Sequence, residues 1–375
     1  MLLTGCIWSM LISLSDSAAP NVTTKVNEVC YPEIGCLNLD PPWDPRTLLG
    51  RIPQPPSAVG LRLFHRSRYF NGRRETNLEG VEKMVADAWN STIGNFKAPA
   101  RSCTLIIHGF ASSGSVPWTV SLEEALIDSE DTEVVIVDWS PGASGPNYFQ
   151  AVANTRVAAA LVAKFLQKMI QKEVCDASKL HLIGQSLGAH LASYVATDVT
   201  NIAEITGLDP AQPWFENNDN VTHLDQSDAE FVQIVHTNVL PFWPSFGLGF
   251  SKPSGHVDFY INGGAVQPEC TSNGYYQKIR NYLSDRVTSV IEWLACSHSK
   301  AQEYYIEALK RPFSCRYTGI PWNPDDKDPP SLRGHRCRFA SCQQIGRLTK
   351  HLPARGTFYV FSNYTDPFCL KESAH

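Results

Sequence analysis

The chain has 375 residues, of which 43% are hydrophobic and 18% charged, and its formal net charge is −5. This composition is typical of a globular protein with a sizeable core, and it excludes a disordered or fibrous chain. Lysine and arginine do not form basic blocks of the kind that phosphate binding requires, so nucleic acid is not predicted as a partner.

The N-terminus has the pattern of a targeting segment. An apolar stretch at residues 2–14 is followed by a run of small residues that ends at Ala19. The pattern predicts a secretory signal peptide over residues 1–19 and a mature domain over residues 20–375, although the usual positive charge at the start is missing. The alternative is a disordered extension. No later stretch reaches the run of about 20 apolar residues that a membrane span needs, so nothing after it is expected to cross a bilayer. The signal-peptide pattern predicts a secreted, extracellular protein.

Short apolar runs alternate with longer amphipathic segments between about residues 61 and 300. The runs at residues 103–107, 133–137, 180–183 and 230–235 are rich in β-branched residues and predict strands. Residues 149–171 and 187–200 carry apolar side chains near helical spacing and predict helices. This alternation predicts a single α/β domain with a mostly parallel central sheet and helices on both faces.

A Gly-x-Ser-x-Gly run centred on Ser186 lies where the third predicted strand gives way to a helix. A sharp strand-to-helix turn lifts a serine hydroxyl clear of the sheet, and glycines at 184 and 188 allow neighbouring elements to approach closely. The helix N-terminus also favours negative charge that develops on a substrate. Ser186 is therefore the predicted nucleophile, and the alternative is an ordinary helix cap.

A serine nucleophile needs a base and a group that orients the base. Asp209 follows a short apolar run and is predicted to lie at the carboxyl end of a strand, where ligand sites of open α/β sheets are found. Among the later histidines, His298 lies beside Cys296 and is predicted to be carried on a loop anchored by a disulfide. His236 and His256 remain weaker alternatives, because both lie near apolar segments where a buried structural histidine is common.

The predicted oxyanion hole uses two backbone amides. One belongs to Leu187, directly after the nucleophile, and the other to Phe110, which follows an earlier predicted strand. His108, two residues before Phe110, is interpreted as a residue that packs or hydrogen-bonds beneath this loop.

Eleven cysteines also favour an oxidising compartment. Loss of Cys6 with the signal peptide leaves an even number, which predicts disulfides, and the absence of Cys-x-x-Cys pairs argues against a zinc or redox site. Four glycosylation sequons, at Asn21, Asn90, Asn220 and Asn363, are compatible with a secreted glycoprotein.

Several runs together resemble the animal pancreatic lipase family, in collinear order over nearly the whole chain after residue 27. They are residues 106–110, 137–139, 183–190, 205–211 and 295–298. The resemblance implies the α/β-hydrolase fold, a triad of Ser186, Asp209 and His298, and an oxyanion hole at Phe110 and Leu187. Family members commonly have histidine where this chain has Gln185, a position outside the triad.

The resemblance also implies disulfides Cys30–Cys36 and Cys270–Cys296, the second of which bounds a lid over residues 271–295. Cys103 opens one predicted strand and Cys175 precedes another; these strands are neighbours in α/β-hydrolases, which predicts a Cys103–Cys175 disulfide. Four further cysteines then pair in one of two ways. The alternatives are Cys315–Cys369 with Cys337–Cys342, or Cys315–Cys337 with Cys342–Cys369.

Two features of the family bear on cofactors and partners. The family's calcium loop is similar to residues 220–228, where the ligand set would be Asn220, His223, Asp225 and Asp228. A structural calcium is therefore a prediction, and the chemistry itself requires no cofactor. Pancreatic lipases continue into a C-terminal β-sandwich that contacts colipase; this chain stops at His375, so it is expected to be a single-domain member without a colipase partner.

The lid and the loop at residues 238–255 are both full length, which in this family favours neutral acylglycerols over phospholipids. The expected function is a secreted serine-dependent lipase that acts on triacylglycerol or related acylglycerols at a lipid–water interface. The alternatives are a phospholipase A1 or galactolipase, and a non-catalytic lipid-binding or yolk-type protein.

Overall fold

The computed structural model describes residues 23–25, 27–90, 101–270, 286–326, 328–330, 341–363 and 369. The chain divides into two compact units. The first unit comprises residues 1–203 and 217–223, and the second comprises residues 204–216 and 224–375. The predicted signal peptide, most of the predicted lid and the sequon at Asn21 lie outside the described residues.

The first unit contains eight described strands. They are β1 (Thr23–Lys25), β2 (Glu28–Tyr31), β3 (Gly35–Asn38), β4 (Arg62–Arg66), β5 (Arg74–Thr76), β6 (Arg101–Ile107), β7 (Thr132–Asp138) and β8 (Cys175–Gln185). Strands β1 to β3 form a small antiparallel sheet. In the main sheet the order is β8-β6-β7-β4-β5. Strand β6 is parallel to both β7 and β8, while β4 is antiparallel to β7 and β5.

Helices surround these strands. Their bounds are α1 (Pro56–Val59), α2 (Val81–Asn90), α3 (Pro117–Ser129), α4 (Ser140–Ala143), α5 (Tyr148–Gln171) and α6 (Leu187–Asp198), with a 3₁₀ turn at Asn220–Thr222. Helix α5 begins at a capped position, since the side chain of Asn147 accepts a hydrogen bond from the Gln150 amide. The helices predicted from apolar spacing are present with ends shifted by one or two residues.

The second unit contains six described strands. They are β9 (Glu204–Leu208), β10 (Val232–His236), β11 (Val257–Ile261), β12 (Thr318–Pro321), β13 (Gln343–Gln344) and β14 (Gly356–Val360), in the order β13-β12-β14-β11-β10-β9. The pairs from β9 to β14 are parallel, and β12 pairs antiparallel with both of its neighbours. Its helices are α7 (Phe242–Ser245) and α8 (Arg286–Lys310), with 3₁₀ turns at Gln226–Asp228, Asn262–Gly264, Pro268–Cys270 and Thr349–His351.

The central strands β6 and β7 pair in parallel and are rich in buried β-branched residues, which is why they read as apolar runs in the sequence. Residues Leu105 to Ile107 of β6 and Val134 to Val137 of β7 are completely buried. The predicted class, an α/β-hydrolase fold of mostly parallel strands flanked by helices, is confirmed. None of the helices within the described residues combines the length and apolar character needed to cross a bilayer.

Four disulfides are present among the described residues. They join Cys30 to Cys36, Cys103 to Cys175, Cys270 to Cys296, and Cys315 to Cys369. The Cys103–Cys175 bridge joins β6 to the parallel neighbour β8, as strand adjacency predicts. The Cys315–Cys369 pair selects the first of the two alternatives for the last four cysteines. Cys342 is also disulfide-bonded, and Cys337 lies outside the described residues.

Candidate active site

Ser186 occupies the junction between β8 and helix α6, and its backbone is strained. The residue has φ 56° and ψ −121°, a conformation that side chains other than glycine seldom adopt. Its neighbours make this turn feasible, because a Cβ at Gly188 would lie 2.2 Å from the Ile107 carbonyl oxygen. A Cβ at Gly184 would lie 2.3 Å from the Gly188 carbonyl oxygen. The sharp strand-to-helix turn predicted around Ser186 is therefore the observed local structure.

The loop after β6 lies against this serine. At Gly109 a Cβ would come within 2.7 Å of the Ser186 Cβ, so glycine alone permits the close approach. The two amides predicted for the oxyanion hole both lie in this unit, one in the Gly109–Phe110 peptide and the other at Leu187, the first residue of α6. The first amides of a helix have no partner within the helix, which leaves the Leu187 amide suited to bind an anion.

His108 fixes the orientation of the Gly109–Phe110 peptide. The ring is fully buried, and its Nε2 accepts a hydrogen bond of 3.1 Å from the Trp139 amide. Nδ1 must then carry the proton and donate to the Gly109 carbonyl at 2.9 Å. Because the carbonyl and amide of a trans peptide point to opposite sides, this bond turns the Phe110 amide away from His108. The interpretation of His108 as a supporting residue agrees with these contacts.

Asp209 follows β9 in the second unit, as predicted, and it too has a positive φ, of 46°. The carboxylate is fully buried. Its Oδ1 accepts hydrogen bonds from the amides of Thr237 at 2.7 Å and Asn238 at 3.1 Å, which compensate the charge for lost water. A Cβ at Gly249 would lie 2.5 Å from both carboxylate oxygens, so a glycine closes the pocket around the charge.

The other carboxylate oxygen of Asp209 binds His298. The Oδ2–Nδ1 distance is 2.6 Å, and both side chains are buried. A carboxylate can only accept, so Nδ1 donates and the neutral ring presents Nε2 as a proton acceptor. This is the arrangement that a general base requires. The loop predicted around His298 is wrong: the residue lies inside helix α8, and the Cys270–Cys296 disulfide anchors that helix two residues earlier.

The alternative bases have other partners. His236 is fully buried; its Nδ1 contacts the Phe250 carbonyl at 2.9 Å and its Nε2 contacts the Asp258 carboxylate at 2.9 Å. Both ring nitrogens are therefore occupied. His256 accepts the Val232 amide on Nδ1, and burial together with the nearby Arg355 lowers the pKa of the His256 ring. Both histidines act as structural residues of the sheet.

The acidic residues of the predicted calcium stretch make hydrogen bonds within the stretch itself. Asp225 caps the 3₁₀ turn that follows it by accepting the Ser227 amide, and Asp228 accepts the Asp225 amide in return. Calcium prefers oxygen ligands, so His223 could take part only through its backbone carbonyl. Calcium stays a prediction of the sequence, and no step of the chemistry depends on it.

Some supporting residues gave no recognisable signal in the sequence. The amides of Thr237 and Asn238 bind Asp209 through their backbone, so their side-chain identities carry no information about that role. Gln267 is buried between β11 and α8 and hydrogen-bonds around the Asp209–His298 pair. A lone glutamine in a polar segment resembles an ordinary surface residue, so its burial is visible only in the structure.

Comparisons with known proteins agree with this geometry. The family model described as Lipase matches residues 27–368. Pancreatic triacylglycerol lipase of Sus scrofa is 32% identical over 89% of this chain and 72% of its own length. The Myocastor coypus enzyme of the same name is 34% identical over 77% of this chain and 63% of its own length. Inactive pancreatic lipase-related protein 1 of Homo sapiens is 32% identical over 81% of this chain, which spans 62% of that relative.

Proposed function

Because the chain belongs to the Lipase family, we propose that it is a serine-dependent carboxylic ester hydrolase that acts on triacylglycerol or related acylglycerols. The observation that carries the proposal is the strained backbone of Ser186, with φ 56° and ψ −121° at a strand-to-helix junction. Such strain persists only where the surrounding structure enforces it, and it is concentrated at functional positions. The buried Asp209–His298 hydrogen bond, 2.6 Å long, supports the same assignment.

In the proposed reaction the Ser186 hydroxyl attacks the ester carbonyl while His298 Nε2 accepts its proton. The amides of Phe110 and Leu187 stabilise the negative charge on the tetrahedral intermediate. His298 then gives the proton to the departing alcohol, which leaves an acyl group on Ser186. Water, activated by the same histidine, releases the fatty acid. Asp209 holds the ring in the required tautomer and stabilises the imidazolium that forms.

A lipid–water interface is the proposed partner surface. No charged residue occurs between Asn238 and Ser251. At the tip of this segment Trp243 is 67% exposed and Phe242 is 37% exposed. Exposed aromatic side chains with no charge beside them suit the boundary of a lipid layer. Colipase is not proposed as a partner, and no cofactor is proposed for the chemistry.

Secretion is part of the same proposal. The four disulfides of the described residues support an oxidising compartment, since such bridges do not persist in a reducing cytosol. Cleavage of the signal peptide after about residue 19 would be detected as the N-terminal sequence of the exported protein.

The decisive experiment compares fatty-acid release from triolein and from phosphatidylcholine emulsions by the wild-type protein and Ser186→Ala. Loss of the nucleophile should reduce kcat on triolein by about 10⁶-fold. Ser193→Ala is the matched control, because this buried serine lies on the same helix and donates to the His223 carbonyl. The Ser193→Ala variant should retain wild-type activity on triolein.

Each other outcome has a definite meaning. Equal release by Ser186→Ala would contradict the serine mechanism. Release from phosphatidylcholine alone would replace the triacylglycerol assignment by phospholipase A1. An inert wild-type protein would place the chain with the relatives named inactive, although it retains Ser186, Asp209 and His298.

A further inference from the structure

Gln267 lies at the centre of a buried hydrogen-bond network in the second unit. Its side chain is fully buried. Nε2 donates to the Thr237 carbonyl at 3.0 Å and to the Ile261 carbonyl at 2.9 Å. Oε1 accepts from the Asn262 side chain at 3.0 Å and from the Tyr304 hydroxyl at 3.3 Å. The side-chain amide therefore uses both of its hydrogens and both acceptor sites, as a buried amide must.

The first of these bonds acts on the acid of the proposed triad. Gln267 Nε2 holds the carbonyl of the peptide that joins Thr237 to Asn238, and the amide of that peptide donates to Asp209 Oδ1 at 3.1 Å. The carbonyl and amide of a trans peptide point in opposite directions. A bond that fixes the carbonyl on one side therefore aims the amide at the carboxylate on the other.

The backbone of Gln267 acts on the base. Its amide donates to the hydroxyl of Ser297 at 3.0 Å, and Ser297 directly precedes His298 in helix α8. The Tyr304 hydroxyl, two turns further along the same helix, donates to the Gln267 side chain. Gln267 thus contacts helix α8 at two points and the Asp209-binding peptide at a third.

We propose that Gln267 is a positioning residue that holds the His298 helix and the Asp209-binding peptide in register. This inference rests on the proposed function, because it assigns a role within the same triad. The hydrogen bonds of Gln267 go to the supporting peptide and helix, so its role is to position the triad. Its effect passes through the length and direction of the Asp209–His298 hydrogen bond, which sets the tautomer of the base.

The test replaces Gln267 with methionine, which has a similar volume and no hydrogen-bonding amide. Misalignment of the base should lower kcat by roughly 10- to 100-fold and leave KM unchanged, because no substrate contact is lost. Gln343→Met is the matched control: Gln343 is equally buried and its Nε2 donates to the carbonyls of Thr349, Leu352 and Ala354. Both variants should lose thermal stability, but only Gln267→Met should lose kcat.

Ser297 provides a second pair of variants for the case in which Gln267→Met fails to fold. Ser297→Ala removes the acceptor of the Gln267 amide and should reduce kcat. Ser297→Thr keeps a hydroxyl at the same position, so its kcat should stay close to that of the wild type. Wild-type kcat in Gln267→Met, or equal kcat in the two Ser297 variants, would overturn the proposal.

A spectroscopic readout separates this inference from the proposed function. The Nδ1 proton that His298 shares with the Asp209 carboxylate should give a downfield proton resonance, assigned by its absence in His298→Ala. Gln267→Met should shift or broaden that resonance, and Gln343→Met should leave it in place. If the wild-type protein hydrolyses no ester, the proposed function fails, while the resonance still decides the role of Gln267.

Discussion

Two residues of the proposed site have strained backbone conformations. Ser186 and Asp209 both have positive φ angles, of 56° and 46°, without being glycine. Each costs of the order of 1–3 kcal/mol, which the surrounding packing must supply. Both residues were predicted from motif position and chain order. The sharp turn at Ser186 was predicted from its motif, whereas the positive φ of Asp209 was visible only in the structure.

Asp209→Asn should test the role of the carboxylate without removing its backbone contacts. The asparagine Oδ1 can still accept the amides of Thr237 and Asn238. Its Nδ2 would then face His298 Nδ1 as a donor and force the proton onto Nε2, which destroys the base. We expect kcat to fall by about 10⁴-fold, measured on a soluble short-chain ester.

The unfolding midpoint of Asp209→Asn should stay close to that of the wild type, because the buried amide keeps its partners. Asp128→Asn, at an exposed position of helix α3, serves as the control and should keep full activity. Wild-type kcat in Asp209→Asn would argue against the triad even if Ser186 proved essential.

Helix α8 illustrates how one element can differ from its sequence pattern. The sequence predicted a loop at His298, whereas α8 runs without interruption from Arg286 to Lys310. Residues 295–300 contain neither glycine nor proline, so nothing in the local sequence ends a helix there. A disulfide does not require a loop, since Cys296 bonds to Cys270 from within the helix.

Strands β4, β6 and β7 share a buried acid. Glu133 accepts hydrogen bonds from His65 at 2.6 Å, Ser67 at 3.1 Å and Arg101 at 2.6 Å. Burial alone would raise the pKa of the Glu133 carboxyl, but the hydrogen bonds and charges of His65 and Arg101 outweigh burial. They hold the pKa below its ordinary value of 4.5. The ionised carboxylate therefore joins three strands of the first unit.

Glu133→Gln should lower the free energy of unfolding by about 3 kcal/mol near neutral pH, because His65 and Arg101 lose their buried partner. A carboxyl group whose pKa is lower in the folded protein than in the unfolded chain stabilises the fold fully above the ordinary value of 4.5. This stabilisation is lost as the pH falls through the folded-state pKa. The difference between wild type and variant should therefore narrow in acid.

Urea unfolding at about pH 7 and about pH 3.5 measures this change. Glu124→Gln, at an exposed position of α3, is the control, and its free energy of unfolding should match that of the wild type at both pH values. If the difference in free energy of unfolding between wild type and Glu133→Gln stayed constant with pH, the carboxylate charge would contribute nothing to stability.

At the scale of the whole molecule, covalent bridges close long loops. The Cys103–Cys175 bridge encloses a sequence separation of 72 residues within the first unit. Its removal by the double change Cys103→Ala and Cys175→Ala should lower the free energy of unfolding by about 2–4 kcal/mol, chiefly through a less constrained unfolded chain. Thermal unfolding measures the loss, and activity at low temperature should remain.

The same double change on Cys30 and Cys36 provides the comparison. That bridge closes a loop with a sequence separation of 6, so it should stabilise the fold less. Equal losses from the two double variants would contradict the loop-length argument.

The sequence by itself determined the fold class and the Cys103–Cys175 disulfide, and its family resemblance gave the Cys30–Cys36 and Cys270–Cys296 pairs. It also predicted the nucleophile and the order of acid and base. The fold class and the predicted nucleophile follow from local patterns: buried parallel strands are continuous apolar runs, and the Ser186 turn needs glycines at fixed offsets. The tertiary structure decided what depends on contacts distant along the chain. It paired Cys315 with Cys369, placed His298 in a helix, and buried Gln267 between the peptide that binds Asp209 and the helix that carries His298. Such contacts join residues that no local spacing relates, so only the folded chain brings them together.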